Sequence, residues 1–200
     1  MTLQTRDRDH GARRPAARAF ATFLLLDAAP AYAHTGVGAT HGFAFGLEHP
    51  FGGLDHLAAM IAVGAIAARF PSRAAVAAPL AFVSFMAFGA TLGALDVPPN
   101  LLQALTFNSM IILGVMLTTR LEGRKLLALA AIGAFGLIHG LAHGADAPQD
   151  GDGIAFLGGL SVATSVGHAL GFACAFVVAR LNRPSARLSS LVASKRARRS

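Results

Sequence analysis

Apolar stretches close to 20 residues long recur along this chain, and most of its charges fall between them or near the two termini. Twenty helical residues rise about 30 Å, the thickness of the hydrocarbon core of a bilayer. Only 14% of the 200 residues are charged, whereas a soluble domain carries about a quarter. The expected fold class is therefore all-α, a polytopic membrane helix bundle. Its spans are expected near residues 54–69, 75–95, 101–119, 126–144 and 154–179, about five in all.

Residues 1–33 have the form of a secretory signal peptide: a basic start, a short apolar run from Ala19 to Leu26, and Ala31-Tyr32-Ala33 as a small-x-small cleavage pattern. Asp27 interrupts that pattern, and an uncleaved segment would add one span without changing orientation. The transmembrane domain is expected over 34–180 and a basic tail over 181–200. The net charge of +7 is explained by its placement. Arg69, Arg73, Arg120, Arg124 and Lys125 lie in alternate loops, whereas Asp96, Asp146, Asp150 and Asp152 occupy the others. Under the positive-inside rule this puts the mature N-terminus outside and the C-terminus in the cytoplasm, in a multi-pass protein of the bacterial inner membrane. The partner it implies is a lipid bilayer; no folded basic face exists to bind nucleic acid. The single cysteine, Cys174, allows no disulfide within the chain.

Polar chemistry concentrates where the first span begins, in His49-Pro50-Phe51-Gly52-Gly53-Leu54-Asp55-His56. Proline and paired glycines interrupt a helix, so residues 36–48 are expected as a half-helix or re-entrant piece leading into the break. His49 and His56 share a face if helical geometry roughly persists across it. Two imidazoles and one carboxylate suit a divalent first-row metal. A second group, His139-Gly140-Leu141-Ala142-His143-Gly144-Ala145-Asp146, places two imidazoles four residues apart on one helical face. That is a common bidentate spacing, although the glutamate of the zinc-protease helix is absent. Asp146 could be a ligand or could orient a ring. Both groups fall toward the outer ends of their spans, so one shared site is allowed. The plain alternative is a polar helix start with Asp55 as its cap and two interfacial histidines in the first group, and a helix-packing motif whose histidines bond to neighbouring helices in the second.

Other residues are candidates for a pathway. Met60 is one turn after His56. His168 lies about 14 residues, or ~21 Å, below the outer end of the last span, with Thr164 and Ser165 as a polar stripe. Asn108 offers a polar group in the third span. His41 and Glu48 could gather ions at the outer surface, and after cleavage His34 would offer its terminal amine beside its imidazole as a chelating pair.

The two motifs, H-x5-D-H from His49 to His56 and HGxAHGxD from His139 to Asp146, resemble the HupE/UreJ family of nickel/cobalt transporters, which are associated with hydrogenase and urease maturation. The resemblance covers roughly residues 34–180. It implies His49, Asp55 and His56 as one half of a metal site and His139 and His143 as the other, with Ni²⁺ or Co²⁺ as the ion transported or bound. It also implies hydrogenase or urease maturation proteins as partners. The second motif usually carries Phe where Ile138 stands and Glu where Asp146 stands. The expected function is thus a membrane permease for nickel uptake, not an enzyme. The alternatives are a metal-binding accessory or sensor protein that does not transport and, more remotely, a di-iron membrane oxygenase, which would need further histidine boxes.

Overall fold

The computed structural model describes residues 42–93, 97–121, 123–147 and 152–182. The signal-like segment, His34, His41 and the basic tail lie outside them. Among the described residues there are no strands. The helices are α1 (Phe43–Glu48), α2 (Leu54–Ala67), α3 (Ser72–Thr91), α4 (Pro99–Thr118), α5 (Lys125–Asp146) and α6 (Gly153–Leu181), with a 3-10 turn over His49–Gly52 between α1 and α2. Pro71 stands directly before α3, and Pro98 and Pro99 at the start of α4, where a helix accepts proline, whereas Pro79 lies inside α3.

Helices α3 to α6 are each long and apolar enough to cross a membrane. The first expected span is divided. Helix α2 has only 14 residues, a rise of about 21 Å, and it reaches spanning length only together with α1, from which it is bent by 90°. Pro50 stands in the first positions of the 3-10 turn that follows α1, and Gly53 then takes an extended conformation (φ −133°, ψ 130°) that ends the turn and restarts the chain as α2.

Glycine stripes set the packing. A Cβ on Gly136, Gly140 or Gly144 of α5 would overlap the backbone carbonyl of Phe82, Met86 or Ala90 on α3. On α6, a Cβ on Gly159 would strike the Phe43 carbonyl of α1, and one on Gly171 the Ile61 carbonyl of α2. Between α3 and α5 the partner residues advance together by four, and between α2 and α6 Met60 meets Gly167 while Gly64 meets His168 and Phe172, so α3 lies parallel to α5 and α2 parallel to α6, as alternate crossings must. Where lipid removes the hydrophobic drive between helices, such close backbone contact supplies the attraction. Helix α4 packs against α2 and α5. The core of Val63, Ile66, Phe82, Leu113, Ile132 and Phe156 is fully buried, while Phe85, Phe88, Ile111, Val115 and Val178 face outward, as lipid contact requires.

Helix direction then sorts the charges by end. Arg69, Arg73, Arg120, Arg124, Lys125 and Arg180 lie at one end of the bundle formed by α2 to α6. The starts of α2 and α6 and the last turn of α5 meet at the opposite end.

Candidate metal centre

Three elements deliver one imidazole each to a common point. His49 comes from the 3-10 turn, His56 from the first turn of α2, and His143 from the last turn of α5. One ring nitrogen from each lies within 4.8 Å of the other two. The ring centroids are 5.0 Å apart for His49–His143 and for His56–His143, and 5.8 Å for His49–His56. Two nitrogens bound to one ion at ~2.1 Å can be at most about 4.2 Å apart. A small rotation of the partly exposed His49 or His56 therefore closes the cluster around a cation. His49 and His56 meet because the chain turns sharply between them, whereas the sequence reading relied on helical continuity.

Asp55 stands behind His56. Its Oδ1 is 2.8 Å from His56 Nδ1, so the ring donates that proton to the carboxylate and presents Nε2. The carboxylate orients and polarises this ring, an arrangement common behind metal-binding histidines. Gly53 makes this possible, since a Cβ there would overlap Asp55 Oδ1.

His139 is one turn deeper than His143, and both are only 4% exposed. Its Nδ1–H donates to the Phe135 carbonyl at 2.8 Å, which again leaves Nε2 as the lone-pair atom. Its ring centroid is 6.4 Å from that of His56, so it lies beside the three-imidazole cluster. Its other side meets Phe82 at 5.4 Å.

The remaining candidates separate clearly. Met60 is 3% exposed and lines the small cavity under the cluster, with His56, His139 and His143. His168 is 1% exposed and packs edge-on against Phe82 at 5.1 Å. It is much closer to the cluster than its place along α6 suggested. A Cβ on Gly64 would overlap the His168 carbonyl, which puts His168 level with a residue eight after His56, or ~12 Å below it. The first turns of α6 run alongside α1, above that level. Asn108 does not join this pathway: it is exposed and donates to the Ala104 carbonyl of its own helix at 2.7 Å. Ser165 is likewise exposed and donates to the Ser161 carbonyl. Thr164 is buried, its hydroxyl 3.9 Å from the Met86 sulfur. Glu48 is exposed beside His49, and Asp146 closes α5.

Two aromatic residues escaped the sequence reading. Phe156 of α6 is fully buried and braces the His49 ring at 5.4 Å, and Phe82 of α3 touches both His139 and His168. Neither carries polar chemistry, so only the packing of α3 and α6 could reveal them.

A protein-family model described as "HupE / UreJ protein" matches residues 22–196. The chain is also 33% identical over 155 residues to "Protein HupE" from Rhizobium leguminosarum bv. viciae, covering 77% of this chain and 81% of that protein. No solved structure matches it significantly.

Proposed function

Because this chain belongs to the HupE/UreJ family, which is tied to nickel and cobalt handling for hydrogenase and urease, we propose that it is a permease for Ni²⁺ uptake, with Co²⁺ as an alternative cargo. The observation that carries this reading is the convergence of His49, His56 and His143 from three separate elements at one end of a membrane bundle, with Asp55 behind one ring. Neutral imidazoles suit borderline first-row ions, and the neighbouring carboxylate adds negative charge.

The segregation of Arg and Lys supports an orientation in which the histidine end faces outward and the basic end faces the cytoplasm. An inside-negative potential then drives a divalent cation inward with about 4.6 kcal/mol per 100 mV, twice the single-charge value. No phosphate-binding loop is present in the sequence to couple ATP. His49, His56 and His143 exchange their nitrogens for part of the ion's water shell, and His139 lies next along the route. The ion delivered inside becomes available to metalloenzyme maturation.

Purified protein in liposomes with an imposed inside-negative potential provides the test. The expected result is accumulation of radioactive nickel that cobalt competes away and that His56→Ala abolishes. Tight nickel binding with no accumulation would instead make the chain a metal-holding accessory protein.

A further inference from the structure

Beneath the imidazole cluster is a small cavity of about 10 Å³, room for roughly one water molecule. His56, His139 and His143 line it above, and Met60, Met86 and Phe82 below and beside. A divalent ion with a full shell of about six waters therefore does not fit in a space for about one. Whatever enters has already lost most of its shell to the imidazoles.

Phe82, which is 2% exposed, also lines this cavity. His168 does not line it; it packs against the same phenyl ring from α6. His168 is also chemically unusual. Neither of its ring nitrogens has a hydrogen-bond partner among the described residues. A neutral imidazole has one N–H and one lone pair, and burying both unmatched is costly. A buried group left in this state calls for a specific reason, such as an ion or water it is built to meet. The nearest polar side chain on its helix face, Thr164 one turn outward, directs its hydroxyl to the Met86 sulfur.

We propose that His168 is a second, inner station for the same dehydrated divalent cation, and that Phe82 is the partition dividing it from the outer cluster. This rests on the uptake reading given above. One imidazole, with whatever water travels with the ion, holds a cation less firmly than three, and a passing ion must be able to leave each station it occupies. The Phe82 backbone is clamped, because Gly136 of α5 packs directly on its carbonyl. The motion available is therefore rotation of the phenyl ring, and the flexible thioethers of Met60 and Met86 beside it can yield.

The test uses the full chain in nanodiscs for nickel binding by equilibrium dialysis and in liposomes for uptake. His168→Gln is expected to keep nickel binding at the outer cluster within about threefold while uptake falls at least tenfold. Phe82→Ala is expected to bind a second nickel ion per chain at high nickel, and the Phe82→Ala/His168→Gln double variant to lose that second ion. Uptake by His168→Gln within twofold of wild type, with outer binding normal, would overturn the inner station alone. So would a Phe82→Ala protein that binds one ion only, or a second ion that persists in the double variant. Wild-type protein that binds no nickel, or binding indifferent to His56→Ala, would instead remove the outer site and the inner station with it.

Discussion

The two ends of the bundle handle polar groups in opposite ways. At the basic end, the last carbonyls of α4 lack partners within their own helix, as at every helix C-terminus. Arg69 of the α2–α3 connection supplies them, donating to the carbonyls of Met116 at 2.6 Å, Leu117 at 3.2 Å and Thr119. Donors there are matched to acceptors. At the histidine end the ring protons of His56 and His139 are already given to Asp55 and to the Phe135 carbonyl. On these two rings Nε2 is then the lone-pair atom. An end whose donors and acceptors match is a clamp, whereas an end that gathers imidazoles beside a carboxylate has the donor set of a cation site.

The largest expected effect strikes that cluster directly. His143→Ala removes one of three converging nitrogens and should lower nickel affinity more than about 100-fold, beyond the ~10–100-fold range typical of an orienting partner. Dialysis against radioactive nickel measures it, and a tenfold loss or less would mean the three rings do not act as one site. Asp55→Asn keeps the shape but removes the charge behind His56, so the loss expected is ~10–100-fold. An unchanged affinity would reduce Asp55 to a helix-start residue.

Acid should weaken the same end. Metal binding needs neutral imidazole, whose reference pKa is about 6.5, so affinity is retained above that pH and falls as protons compete below it. A titration of nickel binding from pH 7.5 to 5.5 checks the sign; affinity that rises on acidification would contradict histidine ligation. The smallest effect on metal belongs to the basic end. Arg69→Ala should cost roughly 1–2 kcal/mol of stability through its lost hydrogen bonds while nickel affinity stays within twofold. Thermal unfolding in detergent reads the first and dialysis the second, and a metal defect as large as that of Asp55→Asn would show that the two ends are coupled.

Much of this contrast was legible in the one-dimensional chain. Span length follows from the fixed rise of a helix against the thickness of lipid. The sorting of Arg69, Arg124 and Lys125 from the acidic loops follows from alternation of crossings. The break at Pro50-Phe51-Gly52-Gly53 follows from local backbone chemistry, and so does the spacing of His139 and His143. These are short-range properties, readable without knowing what packs where.

Tertiary structure decided the rest. A 90° bend, not helical phase, brings His49 to His56. Asp55 turns back to His56 because Gly53 leaves space for it. Asn108 and Ser165 bond to their own helices, and Thr164 and His168 turn inward instead. Phe82 and Phe156 gain their places at the site only because glycine stripes let α3, α5 and α6 approach backbone to backbone. The level of His168 depends on where α6 starts relative to α2, a difference between two helices that neither sequence contains alone. Periodicity specifies which residues share a face; it does not specify what that face meets, since that depends on contacts between segments far apart in the chain.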